Sequence, residues 1–242
     1  MVTPYNKADA SKKTQVTEMF DNIAPRYDLL NHSLTFGMDF LWRRWAISAL
    51  KPYRPQVILD MATGTADFAI EARRLKPRQI LGIDISPLML EKGREKITAR
   101  HLDRLIELRL GDSEAIDLPD HSVDAITVGF GVRNFENLEK GLAELLRVLK
   151  PGGAAVILEP SFPTQFPFKQ FFELYFKVFT PLIGRMISGD SAAYTYLPAS
   201  VQAFPNGKAF TDICYRVGYH KAVYKPYTFG ACSCYLLEKA RG

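Results

Sequence analysis

At 242 residues, 47% hydrophobic and 24% charged, the chain is long enough for one large domain with a full core, or one domain plus a small insertion, and its composition is that of an ordinary soluble globular protein. The net charge of +5 is mild and spread along the chain without blocks of like charge, which argues against a nucleic-acid tail and is compatible with weak attraction to anionic lipid. Three cysteines, Cys214, Cys232 and Cys234, with no C-x-x-C pair, argue against a disulfide framework and a zinc site and point to a reducing, cytoplasmic setting.

The first fifteen residues, MVTPYNKADASKKTQ, are polar and lack the apolar stretch of a signal peptide, and no window is apolar for long enough to cross a membrane. Residues 1–50 read as helical, with DFLWRRWAISAL strongly amphipathic, and form an N-terminal cap ahead of the first strand. From residue 56 to 160 apolar runs alternate with helical patterns: strand QVILDM, helix ADFAIEARRL, strand QILGIDI, helix PLMLEKGREKITAR, strand LIELRLGD, strand SVDAITVGFG, helix ENLEKGLAELLRVLK, and strand AAVILEP. PGG reads as the stop of the last of these helices. The runs VIL, AITV and AVIL are nearly continuous, as expected of strands covered on both faces. Residues 161–206 break the alternation with an aromatic- and proline-rich insertion. GKAFTDICYRVGY then reads as a helix, and KAVYKPYT and ACSCYLLEK as two strands joined through FG, with Cys232 and Cys234 as small core residues on one strand face.

This order predicts an α/β fold: a doubly wound, mostly parallel seven-stranded sheet, Rossmann-like, ending in an antiparallel hairpin. It is read as one domain over 1–242, with cap 1–50, cofactor-binding core 51–160 and 207–242, and an insertion at 161–206 for acceptor or membrane.

In such a sheet ligands bind at the carboxyl ends of the strands, where strand order reverses. Those ends carry Asp60 with Thr63, Gly64 and Thr65; Asp84; Asp112 with Ser113; and Gly129, Phe130 and Gly131. The stretch VILDMATGTADFAI has the outline of a nucleotide-binding turn but a single glycine, Gly64, where a dinucleotide pyrophosphate takes three. Asp60 and Asp112 would repel phosphates. Asp84 follows the turn by the roughly 20 residues at which an acid accepts from ribose hydroxyls. Gly64 lets the backbone approach a ligand, and Thr65 offers a hydroxyl and an N–H to a carboxylate at the helix start. A sulfonium, a ribose, an adenine and an α-carboxylate together suit this set, so the expected cofactor is S-adenosylmethionine. The bland alternative is that each acid caps the next helix; a nicotinamide cofactor is the nearest rival, and the missing glycines count against it.

At this point the chain resembles the UbiE/MenG family of C-methyltransferases of quinone biosynthesis. The residues that carry the resemblance are YDLLNHSLTFGMDFLW (27–42), GFGVRN (129–134), RVLKPGGAAVILEPS (147–161) and YTYLPASVQAFP (194–205). LKPGG alone is common to many S-adenosylmethionine methyltransferases; GFGVRN beside the N-terminal signature is far more specific. The resemblance implies cofactor contacts from Thr65, Asp84, Asp112 and Ser113. The chain departs from the family's pattern at Asp39, where much of the family has His, and at Gly129, where some members have Ser.

The reaction implied is methylation of a ring carbon of a prenylated quinol, a demethylmenaquinol, with a benzoquinol of the ubiquinone branch or another small lipid acceptor as alternatives. A hydroquinol hydroxyl ionises near ~10, and ionisation makes the adjacent carbon nucleophilic. Arg133 is the candidate that favours the ionised oxygen, against the alternative of a surface pair with Glu136 or Glu139. Asn134 is the candidate that orients the oxygen or the cofactor. For the base, His32 has the best intrinsic pKa, with Tyr196 and Asp190 as alternatives. Phe20, Tyr27 and Phe36 are either a lid or ordinary core. In FPFKQFFELYFKVFTPLIGRMI (166–187), Lys169, Glu173 and Lys177 form one charged stripe on an otherwise apolar helix, and Phe172 and Phe176 lie on its apolar face. That face is expected to line the tail channel or touch a membrane peripherally, or else to pack on the cap or on a second subunit.

Overall fold

The computed structural model of the protein describes residues 2–172, 174–175 and 191–242. Three helices come first: α1 (Lys12–Ile23), α2 (Tyr27–Leu34) and α3 (Met38–Ala49). Then follow β1 (Val57–Met61), α4 (Asp67–Ala72), β2 (Gln79–Asp84), α5 (Pro87–Ala99), β3 (Ile106–Leu110), β4 (Val123–Gly129), α6 (Leu138–Val148) and β5 (Leu149–Pro160). After the insertion come α7 (Ser191–Ala203), α8 (Lys208–Val217), β6 (Lys221–Tyr227) and β7 (Cys232–Glu238). The sheet has seven strands in the order β3-β2-β1-β4-β5-β7-β6. β1 to β5 pair in parallel, and β7 enters antiparallel between β5 and β6.

Period-two alternation splits the apolar residues of each strand between two cores. Leu59, Leu81, Ile126 and Ile157 pack with α6 and α8 through Leu142, Leu145 and Phe210. Ile58, Ile80, Ala125 and Val156 pack on the other face with Trp42 and Ile47 of α3 and Phe68 of α4. Burial on both faces is why these strands read as unbroken apolar runs. Cys214, Cys232 and Cys234 are buried and unpaired.

Helix starts follow local chemistry. The Ser86 hydroxyl accepts the Met89 N–H at 3.2 Å ahead of Pro87 at the first position of α5, and Asn137 caps α6 by accepting the Lys140 N–H at 3.0 Å. One boundary differs from the sequence reading. LKPGG does not simply stop α6; from Leu149 it is already strand, because Val123 pairs with Leu149 before the register shifts at Ala125–Ala154. The sheet therefore takes up residues that glycine and proline marked as a loop.

Strand order reverses at β1, which has β2 on one side and β4 on the other. α1 is strapped across the carboxyl end of this region. Lys12 donates to the carbonyls of Arg133 and Phe135 at 2.9 and 2.8 Å, and Asp21 accepts from the Ser86 hydroxyl at 2.5 Å. No helix among the described residues is long and apolar enough to cross a membrane.

Candidate active site

The loop after β1 turns through left-handed backbone at Ala62, Gly64 and Ala66. At Gly64, with φ +54°, no atom lies within 4 Å of where a Cβ would sit, so the backbone is bare toward the cleft. Asp84 at the tip of β2 accepts the Gly64 N–H at 2.7 Å and the Ser86 N–H at 2.9 Å, one on each carboxylate oxygen. Burial raises its pKa against those donors. Asp112, just past β3, accepts from the Lys13 ammonium at 2.5 Å and the Glu114 N–H at 2.9 Å. Gly64, Asp84, Asp112, Ser113, Gly129 and Asn134 line one narrow cleft of about 70 Å³, closed over by Lys13, Val16 and Phe20 of α1.

Asp60 and Thr65 do not line this cleft. Asp60 lies beneath the loop and accepts the hydroxyls of Thr63 and Thr127, each at 2.5 Å, and the Ala69 N–H at 3.0 Å. Burial pushes its pKa up to about 6 against those three donors. The Thr65 hydroxyl donates to Asp28 at 2.5 Å and accepts from Lys96 at 3.0 Å. Both side chains are engaged by neighbouring protein groups, and neither is brought into the lining of the cleft.

His32 is also elsewhere. Its Nδ1 lies 2.8 Å from Asp39 and its Nε2 3.7 Å from Asp67, and the ring stacks on Phe40 at 4.3 Å. Asp39 is held further by Arg43 and by the Thr35 hydroxyl. This network pins α2 to α3, and His32 itself lines neither cavity, so the structure does not bring it to the acceptor.

Behind the cleft opens an apolar cavity of about 640 Å³, lined by Met19, Ile23, Leu30, Phe36, Trp42 and Phe172 among others. Phe20, Tyr27 and Phe130 line both spaces and form the wall between them. Two polar groups stand at this wall. The Tyr196 hydroxyl donates to Asn134 Oδ1 at 3.0 Å, and burial pushes Tyr196 up to about 12, so it is a donor rather than a ready base. Arg133 also lines the cavity. Its Nη1 donates to the Phe130 carbonyl and to Glu159 Oε2, the latter at 3.0 Å. The surface pairs with Glu136 or Glu139 do not form: Glu136 accepts the Lys12 N–H at 2.9 Å and Glu139 pairs with Arg216 at 3.0 Å. Asp190, Glu173, Phe176 and Lys177 lie outside the described residues.

Sequence reasoning missed Lys13 and Glu159. The signal for Glu159 was present: it is an acid at the end of the fifth strand, the same placement that singled out Asp84. Lys13 carried no local signal, because its partner Asp112 is 99 residues away.

The chemistry of the cleft's lining suits S-adenosylmethionine. Bare backbone at Gly64 admits the ligand, and each Asp84 oxygen, already fixed by one backbone N–H, keeps lone pairs for a ribose hydroxyl. In solved structures the fold recurs in a SAM-dependent methyltransferase from Thermotoga maritima, with TM-score 0.64 and 19% identity, covering 92% of this chain and 99% of that one. It recurs equally in the [4+2]-cyclase SpnF, with TM-score 0.62 and 17% identity, covering 96% and 98%, so the fold alone does not set the chemistry. Sequence comparison is more specific. A protein of Bacteroides fragilis named demethylmenaquinone methyltransferase is 48% identical over 239 residues, 98% of this chain and 97% of its own. A Geobacter sulfurreducens protein named ubiquinone/menaquinone biosynthesis C-methyltransferase UbiE is 41% identical, covering 98% and 93%. The sequence profile of the ubiE/COQ5 methyltransferase family matches residues 8–239. The chain belongs to the ubiE/COQ5 methyltransferase family and is thereby an S-adenosylmethionine-dependent methyltransferase.

Proposed function

We propose that the chain methylates a ring carbon of demethylmenaquinol, converting it to menaquinol. The observation that carries this reading is the apolar cavity of about 640 Å³ that shares the Phe20, Tyr27 and Phe130 wall with the cofactor cleft and has Arg133 in its lining. A polar ring carrying a long apolar tail suits such a space, and the relatives' names supply the quinone class. When bound, S-adenosylmethionine supplies a sulfonium methyl open to in-line attack by a carbon nucleophile.

The chain's own residues do the rest. Asp84 and the Gly64 backbone hold the cofactor, with Asp112, Ser113 and Gly129 along the same cleft. Arg133 favours the ionised quinol oxygen, which raises the nucleophilicity of the neighbouring carbon. Asn134, set by Tyr196, orients the acceptor at the wall. The three shared aromatic side chains exclude water between the two ligands. Cofactor binding is assigned to 51–160 and 207–242, and acceptor binding to the cap and the insertion.

The reading includes peripheral contact at the inner face of a membrane. Phe36 and Phe171 line the cavity yet are 76% and 70% exposed, and Phe229, 69% exposed, stacks on Phe168 at 3.8 Å. Exposed aromatic side chains around the mouth of a lipid-sized cavity suit uptake from a bilayer. Co-sedimentation with anionic vesicles is expected, and Phe36→Ser with Phe171→Ser weakens it; binding lost with the cap shielded in a dimer by sedimentation velocity would assign that face to a second copy.

The test of the reaction is turnover of labelled S-adenosylmethionine with reduced demethylmenaquinol beside a demethylated benzoquinol. Preferred turnover of the naphthoquinol supports the proposal. Preferred turnover of the benzoquinol moves the chain to the ubiquinone branch, the second reading, which the combined name of the Geobacter relative also includes.

A further inference from the structure

Glu159 is an anomaly. It lies at the end of β5, is fully buried, and burial raises its pKa. A charged pair taken out of water is seldom more stable than a well-packed apolar pair of the same volume. Stability alone therefore gives little reason for an ion pair between Glu159 and Arg133 on the margin of an apolar cavity.

The geometry shows what the pair does. Glu159 engages Arg133 at both ends: Oε1 accepts the main-chain N–H at 3.3 Å and Oε2 accepts from Nη1 at 3.0 Å. The Phe130 carbonyl takes a second bond from Nη1. Nη1 has two hydrogens, so it is fully used. The Nε–H is buried and has no partner among the described residues. On a planar guanidinium, Nε–H and one N–H of Nη2 lie side by side along the edge that Nη1 does not share. Buried donors without partners are costly and uncommon in folded proteins, and this one belongs to a residue of the acceptor cavity.

The geometry points to Glu159 as a positioning residue for methyl transfer: it fixes the Arg133 guanidinium through Nη1 and the main chain, so that the Nε edge is presented to the ionised oxygen of the acceptor. The inference rests on the reading of Arg133 as the group that meets the quinol oxygen. Its chemistry is that of a preorganised donor, in place before the charge develops. Glu159 itself lines neither cavity, so its influence on the acceptor runs through Arg133, which does.

The test uses the full chain and compares Glu159→Ala, Glu159→Gln, Arg133→Ala and the double variant. S-adenosylhomocysteine affinity by calorimetry serves as the control for folding and for the cofactor cleft. Glu159→Ala is expected to lower kcat by roughly tenfold to a hundredfold, the scale of a misplaced catalytic group, while acceptor KM and S-adenosylhomocysteine affinity stay within about threefold. Glu159→Gln, which keeps the volume and one acceptor oxygen, recovers part of kcat and serves in place of Ala should that variant not fold. Because Glu159 acts only through Arg133, the double variant is no slower than Arg133→Ala alone. Full kcat in a folded Glu159→Gln, or losses that multiply in the double variant, overturns the inference. Full kcat in Arg133→Ala instead overturns the role of Arg133, so the two failures are told apart.

Discussion

Replacing Asp84 by Asn separates the cofactor site from the surrounding framework. Asp84 accepts one backbone N–H on each oxygen, from Gly64 at 2.7 Å and from Ser86 at 2.9 Å. An amide has one accepting oxygen, so one of these N–H groups must face an NH₂ and lose its partner. A buried unsatisfied donor costs about 1–3 kcal/mol, and a hydrogen bond to a charged acceptor contributes about 1.5–3 kcal/mol. The unfolding free energy therefore falls by about 1–3 kcal/mol. Affinity for S-adenosylhomocysteine falls as well, since at least one ribose hydroxyl loses its carboxylate, by about 1.5–3 kcal/mol or roughly tenfold to 150-fold. Urea unfolding reads the first quantity and titration calorimetry the second. Asp60→Asn is the comparison, because Asp60 is also buried but faces Thr63, Thr127 and Ala69 rather than the cleft. Asp84→Asn that folds and binds S-adenosylhomocysteine as tightly as the parent refutes the assignment of the cleft.

Gly64→Ala places a methyl in open space at φ +54°; it costs about 1–2 kcal/mol of stability from the left-handed backbone and weakens S-adenosylhomocysteine binding by calorimetry, because the methyl enters the ligand's path. Asp60→Asn also has a pH signature. Burial raises Asp60 to about 6, so between about pH 4 and pH 6 the folded chain keeps a proton that the unfolded chain has released, and stability falls as pH rises through that window. The variant cannot titrate, so its stability relative to the parent improves by about 3 kcal/mol from pH 4 to above pH 6, measured by urea unfolding at each pH. Arg43→Ala strips a cation from the fully buried Asp39; breaking such a pair lowers stability by about 3–5 kcal/mol, which thermal unfolding reads, and Asp39→Asn in the same background restores part of it.

The sheet was legible because its strands announce themselves: runs buried on both faces lack polar alternation, and the short FG connection between the last two strands leaves no room for a parallel crossover. Depth at the strand tips was not legible. Asp60 pairs with Gly82, two residues below Asp84 on β2, so it lies deeper in the sheet and turns under α4 while Asp84 reaches the cleft. A one-dimensional pattern marks both as acids at a strand end. Partnership across the chain was equally hidden. His32 has the right intrinsic chemistry for a base, but Asp39 engages its Nδ1 and the ring lines neither cavity. Arg133 sits beside Glu136 in sequence and beside Glu159 in space.

One helix presses on both chambers. Lys13 and Val16 of α1 face the cleft, Met19 and Ile23 face the cavity, and Phe20 faces both. Any shift of this helix against one ligand is carried to its seat against the other. A ligand that shifts this helix from one chamber changes the other chamber's affinity, and by linkage the factor is the same in both directions.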